Sequence, residues 1–133
     1  MLAKVTTTAL LLAAGGGSRF AGPTHKLLAM LDGRPVFRHA LDHVIGARLD
    51  GVVVVTGATD LSIDDDVVTI LHNANWQRGQ AGSLQIGLTE AAARDSEFVV
   101  VGLADQPFIP PAAWRAIAEA RSDARIVVAT SMP

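Results

Sequence analysis

The stretch Thr6-Thr7-Thr8-Ala9-Leu10-Leu11-Leu12-Ala13-Ala14-Gly15-Gly16-Gly17-Ser18-Arg19-Phe20 decides the fold. An apolar run without polar alternation is the mark of a strand covered on both faces, and the glycines that close it mark a loop. Both-face burial belongs to parallel sheets flanked by helices. The apolar segment from Val5 to Ala14 includes three threonines and runs straight into glycine. It falls well short of the roughly 20 apolar residues a membrane helix needs, and it reads as a buried strand rather than a signal sequence.

Strand and helix patterns alternate along the rest of the chain. Pro35 opens a helix in which Val36, Phe37, Ala40, Leu41, Val44 and Ile45 recur at helical spacing. Val52 to Thr56 is a second buried strand and Val67 to Leu71 a shorter third. Gln80 to Arg94 reads as a helix with Leu84, Leu88, Ala91 and Ala92 on its apolar face. Phe98 to Leu103 is a fourth strand, and Pro110-Pro111 starts a helix carrying Trp114, Ile117, Ala118 and Arg121. Arg125 to Ala129 is a fifth strand. Strands separated by helices need crossovers, so a mostly parallel sheet and a Rossmann-like three-layer α/β sandwich are expected. With 133 residues, the chain is expected to form a single nucleotide-binding domain over 1–133.

Composition narrows the function. Half the residues are hydrophobic and 18% are charged, a balance that excludes disorder. Cysteine is absent, which rules out disulfides, thiolate zinc sites and cysteine nucleophiles and suits a reducing cytoplasm. The net charge of -2 gives no global attraction for nucleic acid or an anionic membrane. Charge is nevertheless uneven. Arg19, Lys26, Arg34 and Arg38 cluster against Asp32 alone, while four aspartates lie between Asp60 and Asp66, of which Asp64-Asp65-Asp66 reads as a solvated turn between strands.

Ligands of such sheets bind beyond the carboxyl ends of the strands. Two chemical features fall there: the glycine loop after the first strand, and Asp105 after the fourth. Successive glycines let main-chain amides approach phosphate oxygens, and Arg19 and Lys26 on the same loop add a bidentate fork and a point charge. A Walker A loop would need Gly-Lys-Ser/Thr, which is missing. In the dinucleotide pattern Gly15 and Gly17 fit, but Phe20 holds the third glycine position and Asp32 precedes a helix instead of ending a second strand.

Three segments in register resemble the molybdenum-cofactor nucleotidyltransferases: Leu12 to Phe20 with Lys26-Leu27-Leu28, Asn73 to Leu84, and Leu103-Ala104-Asp105-Gln106-Pro107-Phe108-Ile109. The resemblance implies a fold of the nucleotide-diphospho-sugar transferase type. By position it implies that Leu12, Ala13, Ala14, Gly15, Gly16, Gly17 and Ser18 hold base, ribose and phosphates. Arg19 and Lys26 would hold the triphosphate, Asn73 with Gly82-Ser83 would close over the nucleoside, and Asp105 would bind Mg²⁺. Ala14 stands where the guanylyl-transferring branch carries glycine, so the resemblance points to CTP, with an added methyl against the smaller pyrimidine. The implied reaction is CMP transfer to the pterin phosphate of molybdopterin, in service of a molybdoenzyme. Relative to that family the chain is expected to be partial, lacking its C-terminal third.

Other residues carry weaker signals. His39 and His43 are spaced i, i+4 as zinc ligands can be, but no third ligand is near, and they read as a solvated pair. His25 is either a phosphate contact or a plain loop residue. Trp76 and Trp114 read as packing residues. Asn73 can also serve as a turn-forming amide, and Asp105 as a helix cap is disfavoured by the residues between it and Pro110. Two other functions stay open: a non-catalytic nucleotide-binding accessory of molybdoenzyme maturation, and an NAD(P)-dependent oxidoreductase, against which the incomplete dinucleotide pattern counts.

Overall fold

The computed structural model describes residues 6–15, 25–120 and, as a strand, 126–128. Strand β1 is Thr7–Ala13, buried along its whole length. A small hairpin follows, β2 (Met30–Leu31) and β3 (Arg34–Pro35), and leads into helix α1 (Val36–Gly46). Then come β4 (Gly51–Thr56), β5 (Val68–His72), α2 (Gln80–Ala93), β6 (Phe98–Leu103), α3 (Pro111–Glu119) and β7 (Ile126–Val128). The main sheet has the order β5-β4-β1-β6-β7, and each of its pairs is parallel.

The hairpin has no counterpart in the expected elements. Its turn is Asp32-Gly33, with φ of 50° and 80°, a pairing of Asp and Gly at positive φ that suits a two-residue hairpin. Its strands are two residues each, too short for any alternation to show in sequence.

Alternate residues of the strands enter opposite layers, as a period of two requires. Ala9, Leu11 and Ala13 of β1, with Val52, Val54 and Val100, pack against Phe37, Ala40, Leu41 and Val44 of α1 and Trp114 and Ala118 of α3. Leu10 and Leu12, with Val53, Val55, Val99 and Val101, face α2 through Ala91. The result is the expected α/β/α sandwich, with both tryptophan assignments differing in depth: Trp114 is 2% exposed, whereas Trp76 is half-buried.

The face that α2 buries differs from the expected one. Its buried positions are Ser83, Gly87 and Ala91, while Leu84 and Leu88 are only partly buried and Ala92 is exposed. The cause is Gly87. A Cβ there would lie 2.3 Å from Leu10 Cδ1, so only a glycine lets the helix axis approach the sheet this closely. The small residues therefore face inward and the leucines flank them.

The acidic stretch is not simply solvated. Arg38 of α1 reaches Asp65 at 2.9 Å and Asp42 at 3.1 Å, and Arg34 also pairs with Asp42. This network fixes the segment before β5 to α1 and to the hairpin. The His39 and His43 reading is corrected likewise: both are half-buried, His39 Nε2 meets the carbonyl of Leu31, and buried His43 Nδ1 has no hydrogen-bond partner among the described residues. Among those residues no group of three or more His, Cys, Asp or Glu gathers as a metal site. No described helix is long and apolar enough to cross a membrane.

Candidate functional site

The sheet order places β1 between β4 and β6, and the chain's direction of growth across the sheet reverses between β1 and β6. That reversal opens a crevice at the carboxyl ends of these strands, where helices depart to either side. The glycine loop leaves β1 there. The turn carrying Asp105 leaves β6 at the same level, because Leu12 pairs with Leu103 and the Ala104 N–H donates to Leu12 O at 2.9 Å.

Asp105 is presented by a turn that the Gln106 N–H closes onto Leu103 O at 3.1 Å. Ala104 and Ile109 are buried on either side of it, which leaves the carboxylate at the surface of the crevice. From the other wall, the single turn Lys26–Leu28 inserts Leu27 into the core beneath α1 and turns Lys26 outward. Lys26 Nζ and Asp105 Oδ2 lie 3.2 Å apart, with both side chains partly exposed. These two residues, singled out separately in the sequence, are brought together as one ion pair. Asp105 caps no helix: α3 begins after Pro110.

His25 ties the ends of the glycine loop together. Its Nδ1 accepts the Leu27 N–H at 3.1 Å, so the neutral ring carries its proton on Nε2, which donates to Gly15 O at 2.7 Å. The histidine is therefore a clasp on the loop. Gly16, Gly17, Ser18 and Arg19 lie outside the described residues.

The residues implied to bind nucleotide separate into two groups. Leu12 and Ala13 are part of β1 and hydrogen-bonded into the sheet, Leu12 between Val55 and Leu103 and Ala13 beside Thr56. The two residues therefore lie in the sheet from which the loop departs. Beyond them Ala14 is buried and Gly15 is exposed.

Asn73 and Ser83 form the second group. Asn73 Nδ2 donates to Ser83 Oγ at 2.9 Å, and Asn73 Oδ1 accepts the Asn75 N–H at 2.9 Å. Both residues are almost fully buried. The amide is thus a turn former and a buried brace at once, fixing the segment 73–79 to the first turn of α2. Gly82 is exposed just above it, 3.6 Å from Asn73 Nδ2 by its missing Cβ. Arg34 and Arg38, though close to Lys26 in sequence, are committed to Asp42 and Asp65 and take no part.

Gly57 is a residue at this end of the sheet that the sequence did not single out. It follows β4 as Gly15 follows β1, and it lies against Ala14 and Trp76. A glycine directly after a buried strand was the available signal.

The family profile of the MobA-like NTP transferase domain matches residues 9–132. The bifunctional protein GlmU of Zymomonas mobilis is 31% identical over 123 residues, 90% of this chain and 27% of that protein. The 2-C-methyl-D-erythritol 4-phosphate cytidylyltransferase of Chromobacterium violaceum is 34% identical over 97 residues, 70% of this chain and 43% of the relative. Among solved structures, a nucleotidyl transferase from Methanothermobacter superposes with a TM-score of 0.73 at 28% identity, covering 86% of this chain and 57% of the other. The chain thus spans between 27% and 57% of the length of these three proteins. These relatives carry the resemblance to the nucleotidyltransferases as a whole and do not single out the molybdenum-cofactor branch. With the profile running from β1 through β7 and the fold shared with a nucleotidyl transferase, the chain belongs to the MobA-like NTP transferase domain family of nucleotidyltransferases.

Proposed function

We propose that this crevice binds a nucleoside triphosphate, CTP in the first instance, and directs transfer of its nucleotidyl group to a phosphate acceptor. The observation that carries the reading is the meeting of Lys26 and Asp105 at the carboxyl ends of β1 and β6, beside the glycine loop. A structural ion pair has no need of that location, whereas a triphosphate needs a cation and an anchor for its counter-ion together.

A divalent ion such as Mg²⁺ fits the donors present. Asp105 offers one hard carboxylate at a partly exposed position. Mg²⁺ characteristically takes one or two carboxylates and completes its shell with water and substrate phosphates. Bound there, the ion would neutralise charge on the α-phosphate. In the transfer itself, an oxygen of the acceptor phosphate attacks the α-phosphorus of CTP, the bond from that phosphorus to the bridging oxygen breaks, and pyrophosphate leaves with the negative charge. An ionised phosphate needs no general base, so positioning and charge neutralisation carry the rate. Lys26, with Arg19 from the loop, takes up the growing charge on the pyrophosphate, and the clasp of His25 on Gly15 holds the loop for it.

Molybdopterin as the acceptor follows from the Leu12–Phe20 and Leu103–Ile109 resemblance and extends this reading. The relative from Chromobacterium violaceum, a cytidylyltransferase by name, supports cytidine as the transferred nucleoside. Calorimetric titration with CTP, GTP, ATP and NADH, each with and without Mg²⁺, tests it. Mg²⁺-dependent binding of CTP is the expected result, and binding of NADH alone would overturn it.

A further inference from the structure

Strand β5 forms one edge of the main sheet, with β4 on its inner side. In a parallel pair, alternate residues of a strand turn their main-chain groups toward the neighbour. The Asn73 N–H donates to Thr56 O at 2.8 Å, and Leu71 O accepts from Thr56 Oγ1 at 3.4 Å, so the odd-numbered residues face β4. The N–H and C=O groups of Ile70 and His72 therefore point outward, with no partner among the described residues. The Val68 N–H points outward too, but it is already given to Asp65 O at 3.0 Å.

Natural sheet edges are guarded by lysine, proline, bulges or a covering element, because bare main-chain groups recruit another strand. Val68–His72 contains no Lys, Arg, Asp, Glu, Pro or Gly, and its register with β4 runs without a bulge. Of the four large apolar side chains exposed among the described residues, Val67 (62%) and Ile70 (43%) belong to this edge. Hollows open beside it in both layers. Leu71, Ile86 and Ala93 contribute to one on the α2 side, and Ile45, Leu49 and Val67 to one on the α1 side. The two ends of the strand differ in charge. Asp64 and Asp66 are exposed before it, whereas His72 at its end and Arg78 beyond are exposed and no acid occurs from Val67 to Thr89.

We propose that β5 is a docking edge for a second copy of this chain, paired antiparallel about a two-fold axis at Ile70. The outward groups are self-complementary in that arrangement. Ile70 exchanges both main-chain bonds with the partner's Ile70, and the His72 N–H meets the partner's Val68 O, the group of Val68 still free on that side. Antiparallel pairing also sets each acidic end beside the partner's basic end, where a parallel pair would set like beside like. The uncharged centre brings no repulsion: Ile70 packs on its mate and leaves water, and Thr69 falls opposite the partner's Leu71. Pairing of this kind asks nothing of the crevice, so it stands apart from nucleotide binding.

The test is sedimentation equilibrium of the purified chain over a concentration series, with Ile70→Lys beside the wild type and urea midpoints for both. The wild type is expected to move from monomer to dimer mass as concentration rises. Ile70→Lys, which adds the charge that guarded edges carry, is expected to raise the dissociation constant on the order of tenfold or more. Its urea midpoint in dilute solution is expected to stay near that of the wild-type monomer, since Ile70 is an exposed side chain. The chain has no cysteine, so Ile70→Cys gives each copy a single thiol. A hydrogen-bonded antiparallel pair sets its Cα atoms about 5.5 Å apart, within the reach of a disulfide. Oxidation with diamide is expected to link Ile70→Cys into dimers much faster than Phe108→Cys, whose site is more exposed but lies away from the edge. A chain that stays monomeric throughout the series overturns the proposal. So does a dimer that Ile70→Lys leaves intact, or one that crosslinks no faster through residue 70 than through residue 108. If Ile70→Lys does not fold, the two cysteine variants decide the matter.

Discussion

Lys26 and Asp105 stand 79 residues apart in the chain and 3.2 Å apart in space, one on the turn after the glycine loop and the other on the turn after β6. Their pairing makes each a competitor for the other's proposed ligand. A divalent ion arriving at Asp105 meets the ammonium already there. The metal-laden triphosphate brings both a cation for Asp105 and anionic oxygens for Lys26. Lys26→Gln is therefore expected to strengthen binding of Mn²⁺ alone and to weaken binding of the CTP–Mn²⁺ complex. Titration followed by electron paramagnetic resonance of free Mn²⁺ reads both, and a change of the same sign in each would separate Lys26 from the metal site.

Asp105→Asn removes the charge and keeps the shape. Nucleotidyl transfer is expected to fall by 10²–10³-fold or about that order, the usual effect of losing one preorganised electrostatic contact. Chelation with EDTA should bring the wild-type protein to the same level. The thermal midpoint is expected to stay close to wild type, since the carboxylate is partly exposed and Lys26, with which it pairs, is on the surface as well. Full turnover in Asp105→Asn would remove this residue from the reaction.

The buried brace between Asn73 and Ser83 makes a prediction about stability. Asn73→Ala leaves the Ser83 hydroxyl and the Asn75 N–H without their partner. An unmet buried polar group costs about 1–3 kcal/mol. Chemical denaturation should show a loss of that size, together with weaker CTP binding, because segment 73–79 loses its anchor to α2. A stability unchanged within error would show that water replaces the amide.

Gly87→Ala tests how closely α2 approaches the sheet. The added methyl would meet Leu10 at 2.3 Å, inside a region where Leu10 is wholly buried. Overpacking of this kind costs about 1–3 kcal/mol. On an open helix face the same change would instead stabilise, since alanine is the better helix former. The sign of the change in urea midpoint decides the matter.

Arg38 is held charged more firmly than a free arginine, chiefly by its hydrogen bond to Asp65, which outweighs the opposing effect of burial, and further by the charges of Asp42 and Asp65. A cation whose pKa is raised on folding contributes stability that is fully present below its unfolded value and is lost only as pH rises through the folded one. Both lie far into the alkaline range. The destabilisation produced by Arg38→Met is thus expected to be flat from neutral to mildly alkaline pH and to shrink in high salt. Amide exchange in segment 59–66 should speed up in this variant, because Asp65 loses its hold on α1.

Much of this was legible in the chain itself. The unbroken apolar runs at Thr7–Ala13, Gly51–Thr56 and Phe98–Leu103 could only be strands buried on both faces, and the helical spacings between them required a parallel sheet. Asp105 and Lys26 stood out because each follows such an element with chemistry that a plain turn does not need. The buried stripe of α2 was not legible, since a pattern of leucines says which residues are apolar and not which ones a partner can approach. Gly87 and Leu10 decide that together. Arg34 and Arg38 read in sequence only as members of a basic cluster, and their partners were fixed by where Asp42 and Asp65 fell.

Local sequence determined the elements, their order and the class of sheet, because periodicity and glycine act over a few residues. Tertiary structure alone decided which of those residues share a site. The distance between Lys26 and Asp105, and the closure of Ala14 and Trp76 on Gly57, depend on the parallel register of β1 with β4 and β6. That register is a sum of contacts between segments far apart in the chain, and no short stretch of residues contains it.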